Sequence, residues 1–204
     1  MYVLGISAYF HDASAALFKN GELIAAIEEE KLSRIKHDYS FPENAIDFCL
    51  KEANILSNEL DYVVFYEKPF IKFERIIKTA IWGFPKTFKL FQESMRGWLF
   101  DKLWISTTIQ SKLNVSRDKI VFSNHHLSHA ASSYYCSPFN KAAIVTFDGV
   151  GEWATTTISE GNNNEITMEK EIKFPHSLGL IYSVFTAFLG FEINEGEYKV
   201  MGMA

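Results

Sequence analysis

The chain has 204 residues, which suits one large domain or two small ones. Hydrophobic residues make up 48% and charged residues 22%, as in ordinary globular proteins, and the net charge of −5 gives no basis for expecting nucleic acid. Cys49 and Cys136 lack metal-type spacing, so reduced thiols in a cytoplasmic protein are expected, and the start of the chain lacks the basic and apolar regions of a secretion signal.

Residues 2–7 read as a short apolar strand, and 13–18 as a second after the polar pair His11-Asp12. Asn20-Gly21 is a hairpin signal, and 23–27 returns as a third strand. Glu28-Glu29-Glu30-Lys31 closes this meander in charge. Pro42 precedes Ala45, Ile46, Phe48, Cys49 and Leu50, which have helical spacing, and 61–66 reads as a further strand. The character changes over 68–102, with eight basic and three acidic residues: this stretch is +5 and the rest of the chain −10. Phe70, Phe73, Ile76, Ile77 and Ile81 recur at helical spacing, Gly83 and Pro85 interrupt, and Phe88, Phe91, Met95, Trp98 and Leu99 resume. Two inserted amphipathic helices are predicted, with apolar stripes facing the core and basic faces in solvent; docking on a membrane surface or anionic partner is the lesser alternative.

Residues 120–122 form a strand leading into Asn124-His125-His126-Leu127-Ser128-His129, with a small-residue helix over 130–135. Residues 142–147 form a buried strand ending at Asp148-Gly149-Val150-Gly151; 153–159 pairs back, 161–164 turns, and 166–172 is the next strand. The meanders opening at Tyr2 and Ala142 suggest a duplicated fold. Residues 174–191 carry no charge, but Pro175, Gly179 and Gly190 argue for a loop and a closely packed buried helix, so no membrane span is expected.

His125 and His129 are four apart, so on a helix both imidazoles can reach one metal ion; a surface pair or two core histidines are the alternatives. Asp148, at a strand end, can complete the ligand face, and two His with a carboxylate suit iron(II) or another divalent ion with open positions. Gly149 and Gly151 let backbone N–H groups approach phosphate oxygens, although most Asp-Gly pairs between strands are plain hairpin turns. His11 and Asp12 read as a base with its orienting acid, or as a capped polar loop. Glu197 and Lys199 could place a cation near a phosphate, or form a charged turn.

Several blocks then point to one family. They are Val3-Leu4-Gly5-Ile6-Ser7 with His11-Asp12-Ala13-Ser14-Ala15-Ala16, Glu28-Glu29-Glu30-Lys31-Leu32-Ser33-Arg34, Lys36-His37-Asp38, and His125-His126-Leu127-Ser128-His129-Ala130-Ala131-Ser132. Asp148-Gly149-Val150-Gly151-Glu152-Trp153-Ala154-Thr155, Pro175-His176-Ser177-Leu178-Gly179-Leu180 and Gly196-Glu197-Tyr198-Lys199-Val200-Met201-Gly202 follow. In this order, across the whole chain, they resemble the amino-terminal part of the O-carbamoyltransferases acting on nodulation factors, aminoglycosides and cephems.

The resemblance implies an α/β fold of the actin, Hsp70 and sugar-kinase group (ribonuclease H-like), close to the tRNA threonylcarbamoyl transferase protein and present only in part. A first half-domain would span 1–140 with a helical insertion at about 68–110, and a second would begin over 141–204. Two such halves enclose a nucleotide. A carboxy-terminal domain, missing here, makes carbamoyl adenylate from carbamoyl phosphate and ATP, and the first domain passes the carbamoyl group to a hydroxyl of a small sugar-like or antibiotic-like acceptor. His125, His129 and Asp148 would be metal ligands, iron(II) foremost, with a further Asp ligand beyond Ala204. Asp148, Gly149 and Val150 would hold the carbamoyl adenylate, Glu197 and Lys199 would approach the nucleotide, and His11 and Asp12 would sit near the acceptor hydroxyl. On this reading the chain stops in mid-motif, is inactive alone, and exposes apolar surface that favours a homo-oligomer. The alternatives are a sugar-kinase-like ATP-dependent enzyme using magnesium and a catalytic Asp, a threonylcarbamoyl-transferase-like enzyme, against which the acidic balance argues, and a non-catalytic binding module.

Overall fold

Apolar alternation starts the fold. β1 (Tyr2–Ser7) turns Leu4 and Ile6 inward and β2 (Ser14–Lys19) does the same with Ala15 and Leu17, all buried. Asn20 and Gly21 have φ of 52° and 89°, the two positive values a tight hairpin needs, and β3 (Glu22–Glu28) returns antiparallel. The computed structural model describes every residue except His11, Asp101 and Glu195, and describes the backbone but not the side chains of Leu90, residues 96–100 and Lys102. It divides into two compact units, Met1–Ser123 and Asn124–Ala204.

In the first unit, α1 (Glu29–Ser33) follows the meander directly and α2 (Glu43–Ala53) packs on β2 and β3. Pro42, at the start of α2, offers no side-chain cap. Glu29 supplies one instead: its carboxylate accepts from Asn44 N at 3.2 Å, Ala45 N at 2.8 Å and Asn44 Nδ2 at 2.6 Å, while buried. β4 (Tyr62–Phe65) pairs in parallel with β1. The insertion follows as α3 (Pro69–Trp82), α4 (Phe88–Phe100) and α5 (Ile105–Leu113), and β5 (Ile120–Phe122) closes the sheet in parallel with β4. Ala45, Ile46 and Cys49 of α2 and Ile105, Ile109 and Leu113 of α5 complete one core with the sheet. The order β3-β2-β1-β4-β5, an antiparallel meander extended in parallel beyond β1, is the ribonuclease H-like arrangement expected for the actin and sugar-kinase group.

The first inserted helix departs from its expected polarity, and in the second Trp98 and Leu99 of the expected stripe lie outside the described side chains. In α3 the buried residues are Pro69, Lys72 and Arg75, whereas Phe70, Ile81 and Trp82 are exposed. The reason is Glu67, buried just past β4. Its Oε2 lies 2.7 Å from Lys72 Nζ, so α3 turns a cation inward to meet it, with the Lys72 ammonium 5.1 Å from the Phe10 ring. The two ends of the expected stripe, Phe70 and Ile81, face solvent, and Phe73, Ile76 and Ile77 between them are half-buried.

The second unit begins with α6 (His125–Tyr134), then β6 (Lys141–Phe147), β7 (Ala154–Asn162) and β8 (Glu165–Lys173), a second antiparallel meander. α6 packs on these strands through Ala130, Tyr134 and Ile144, so the units divide at Ser123–Asn124 and the helix goes with the strands that follow it. α7 (Leu178–Phe188) and α8 (Glu197–Met203) end the chain. α7 is not the buried helix expected: of its residues only Thr186 is buried, and Val184 and Phe188 are 66% and 83% exposed. Val145, Phe147, Ile158, Met168 and Ile172 of the strands are exposed as well. The helix is largely apolar, but among the described residues nothing covers Val184 or Phe188. Both cysteines are free, Cys49 buried and Cys136 exposed, and no helix is long and apolar enough to cross a membrane among the described residues.

Replacing Glu29 with Ala leaves the buried amides at the start of α2 without their acceptor. The expected cost is about 3 kcal/mol of unfolding free energy, read as a lower urea midpoint at unchanged slope.

Candidate metal centre

Three histidines at the start of α6 carry distinct duties. His126 is the docking residue. Its Nδ1 lies 2.6 Å from Thr146 Oγ1 on β6 and its Nε2 2.9 Å from the Ala154 carbonyl oxygen on β7. A neutral imidazole has one donor and one acceptor, which this pair of partners satisfies: Nε2–H donates to the carbonyl and Nδ1 accepts from the hydroxyl. Burial holds the His126 pKa below the ordinary value, with the Ala154 carbonyl partly opposing. Thr146 Oγ1 lies 2.6 Å from Thr157 Oγ1, extending the network across the sheet.

This docking sets the rotation of α6 and places His125 and His129 above the end of β6. His125 Nε2 lies 2.8 Å from Asp148 Oδ2 and 3.1 Å from His129 Nε2. Donor atoms of His125, His129 and Asp148 all lie within 4.8 Å of one another. Burial acts to raise the Asp148 pKa, but the hydrogen bond from His125 and the charges of His125 and His129 outweigh it and hold the carboxyl down at about 2. Burial, then His125, lowers the pKa of His129. A carboxylate held ionised beside two imidazoles is a donor set that a divalent ion can use. The two facing Nε2 atoms fit as well. Ligands bound at about 2.1 Å and at right angles stand about 3 Å apart, which is their spacing here.

The surrounding chain is shaped to these three side chains. Glu152, buried, accepts from His125 N at 3.3 Å, placing a carboxylate at the N-terminus of α6. Gly149 N donates to Asp148 Oδ1 at 2.7 Å, so one of the two amides expected to meet a nucleotide is occupied in fixing the ligand. Ser177 Oγ lies 3.1 Å and 2.6 Å from the Asp148 and Gly149 carbonyl oxygens and accepts from Leu180 N at 3.0 Å, tying the start of α7 to the Asp148 loop. A Cβ on Gly151 would stand 2.6 Å from His125 Cδ2, and one on Gly179 would stand 2.5 Å from the Asp148 carbonyl oxygen. These two glycines let the His125 ring and α7 close onto the site; Gly149 has no such neighbour within 3.8 Å.

The other expected residues have contacts of their own. Glu197 bonds its own loop, accepting from Asn194 N at 3.0 Å and Gly196 N at 3.3 Å, with Ser183 Oγ at 3.3 Å. The Asn194 amide holds its pKa below the usual carboxylate range. Lys199 Nζ lies 5.7 Å from the rings of both Phe191 and Tyr198. His11 lies outside the described residues. Asp12 pairs with His37, Oδ1 to Nδ1 at 2.9 Å, and the His37 amide donates to Glu30 Oε2 at 3.0 Å. Asp12 and His37 both sit in the left-handed region, with φ of 50° and 54°. Spacing gave no sign of the roles of His37, His126, Glu152 and Ser177, although each falls in a block quoted for the resemblance.

Residues 2–204 match the family described as Carbamoyltransferase N-terminus. The uncharacterized protein sll1178 of Synechocystis is 48% identical over 210 residues, covering 100% of this chain and 34% of its own length. The nodulation protein NolNO of Sinorhizobium fredii is 32% identical over 202 residues, covering 97% of this chain and 28% of its own. YeaZ from Pseudomonas aeruginosa aligns with a TM-score of 0.46 at 12% identity, over 85% of this chain and 66% of its own. The chain therefore spans about a third of the length of the curated relatives it matches.

Two outcomes follow from the geometry. A carboxyl whose folded pKa is depressed stabilises the fold above its unfolded value, near pH 4, and loses that contribution as pH falls toward 2. With a chelator present, Asp148 should account for about 2 kcal/mol of stability lost across that window, and Asp148→Asn should flatten this part of the pH profile in urea titrations. Gly179→Ala should cost about 1–3 kcal/mol, because its methyl meets backbone at Asp148 that cannot swing aside.

Proposed function

The chain belongs to the carbamoyltransferase N-terminus family, and on that premise we propose that it is the transfer part of an O-carbamoyltransferase, passing a carbamoyl group from carbamoyl adenylate to a hydroxyl of a small acceptor. In the longer protein, carbamoyl phosphate and ATP would supply the adenylate. The observation that carries this reading is the convergence of His125, His129 and Asp148 within 4.8 Å, built by residues of the matched family.

A divalent ion, iron(II) foremost, would be held by these three residues and would supply Lewis-acid polarisation of the carbamoyl or phosphate oxygens. The chain's own residues do the rest. His126, Glu152, Ser177 and the Gly149 amide hold the ligands in position. The Val150 amide faces the developing negative charge. On the acceptor side, Asp12 and His37 form an oriented pair, and His11 is the base proposed there. The hydroxyl oxygen bonds to the carbamoyl carbon, the bond from that carbon to the adenylate phosphate oxygen breaks, and AMP leaves. The hydroxyl proton passes to His11, with Asp12 orienting the group, a contribution of about 10²–10⁴-fold to the rate.

Metal analysis and calorimetry with a non-hydrolysable carbamoyl-adenylate analogue, on the full-length protein, test the proposal. One metal per chain and analogue binding are expected, both lost in His125→Ala/His129→Ala. A protein without metal that binds only ATP with magnesium would point to the kinase-like alternative. Replacing Asp12 with Asn should slow transfer by about a hundredfold while adenylate formation stays unchanged; equal loss of both steps would remove Asp12 from the acceptor side.

A further inference from the structure

The turn joining α3 to α4 presents large apolar side chains to solvent. Ile81, Trp82 and Phe84 are 68%, 71% and 69% exposed, and Phe88, at the start of α4, is 51% exposed. The turn is internally bonded. Gly83 N donates to Thr79 O at 3.1 Å, Thr87 N to Gly83 O at 3.3 Å, Phe88 N to Pro85 O at 3.2 Å and Thr87 Oγ1 to Ala80 O at 2.8 Å. The Phe84 and Phe88 rings meet edge to face, their centroids 6.4 Å apart. Lys86 in the turn and Lys89 in α4 are exposed. From Arg75 to Gln92 the chain has four basic residues and no acidic one.

We propose that this helix-turn tip docks the protein on an anionic phospholipid surface, with Trp82, Phe84 and Phe88 entering the headgroup layer and Lys86 and Lys89 meeting lipid phosphates. Three properties select a lipid surface as the occupant. The backbone amides of Gly83, Phe84, Thr87 and Phe88 are paired within the turn, which limits the polar backbone that loses its water on insertion. The apolar side chains are Trp, Phe and Ile on an exposed turn with lysines beside them, the combination that settles at a bilayer interface. The charge is also separated along the chain: Lys86 and Lys89 are exposed at the tip, no acidic residue lies from Arg75 to Gln92, and the chain outside 68–102 is −10, so an anionic surface attracts the tip and repels the rest. Two copies meeting tip to tip would instead oppose their lysines. This inference is independent of the transfer chemistry proposed above.

The test is co-sedimentation of the full chain with vesicles of equal parts phosphatidylglycerol and phosphatidylcholine, and with phosphatidylcholine alone. Binding to the anionic vesicles is expected to be at least about tenfold tighter and to weaken as salt rises. Trp82→Ser/Phe84→Ser should weaken it about tenfold or more, and Lys86→Glu/Lys89→Glu should abolish the preference for anionic vesicles. All four side chains are exposed, so unchanged circular dichroism and thermal midpoint check the folding of both variants. Brominated lipid should quench tryptophan emission in the wild type and less in Trp82→Phe. Failure to bind the anionic vesicles, or equal binding by wild type and both variants, overturns the proposal. So does a lipid-free dimer, seen by light scattering, that Trp82→Ser/Phe84→Ser dissociates, since the tip would then belong to a second copy.

Discussion

The 2.8 Å contact between His125 Nε2 and Asp148 Oδ2 joins the first turn of α6 to the end of β6, and the second unit is arranged around it. A helix lying on a sheet can roll about its axis at little cost while its contacts are small apolar residues such as Ala130. His126 removes that freedom. Its two ring nitrogens bind two different strands, and because the ring is buried, loss of either partner would leave a desolvated polar atom. With the roll fixed, the four-residue period of the helix carries His129 to the same face as His125. Gly151 and Gly179 then let the ring and the following helix approach as closely as the contact requires.

The first unit uses a buried charge in the same way. Glu29, at the end of the meander, caps α2 from below and so ties the position of that helix to β3. Glu67, just past β4, captures Lys72 and thereby fixes the roll of α3. A buried carboxylate tolerates few alternatives, since an unpaired charge in the interior is far more costly than a misplaced methyl. In both units, then, directional polar contacts orient the helices, and the apolar residues provide the bulk of the burial.

Much of this was legible in the chain. The β1–β2–β3 meander, the Asn20-Gly21 turn, the break at Gly83 and Pro85, and the second meander after Lys141 follow from periodicity and turn chemistry, which act over a few residues. The convergence of His125, His129 and Asp148 was legible because four-residue spacing on a helix and a carboxylate at a strand end are both local signals. The rotation of α3 was not, because helical spacing says which residues share a face and nothing about which way the face points. The exposure of α7 escaped for a related reason: an apolar composition shows what could be buried, whereas burial needs a neighbour, and none of the described residues supplies one for Val184 or Phe188.

The amino-acid sequence by itself determined the elements, the hairpin geometry, the family and the grouping of His125, His129 and Asp148 as a candidate ligand set, whose donor atoms the fold brings within 4.8 Å of one another. Only the tertiary structure decided that His126 is a dock, that Asp12 partners His37, that Glu197 serves its own loop, and that α3 turns Lys72 inward and Trp82 outward. The first group depends on interactions between residues close in the chain. The second depends on partners 20 or more residues apart in the case of His126 and 25 apart in the case of Asp12, and on which competing face of a helix finds the stronger contact. That choice is made by packing, where one buried ion pair can outweigh an apolar stripe.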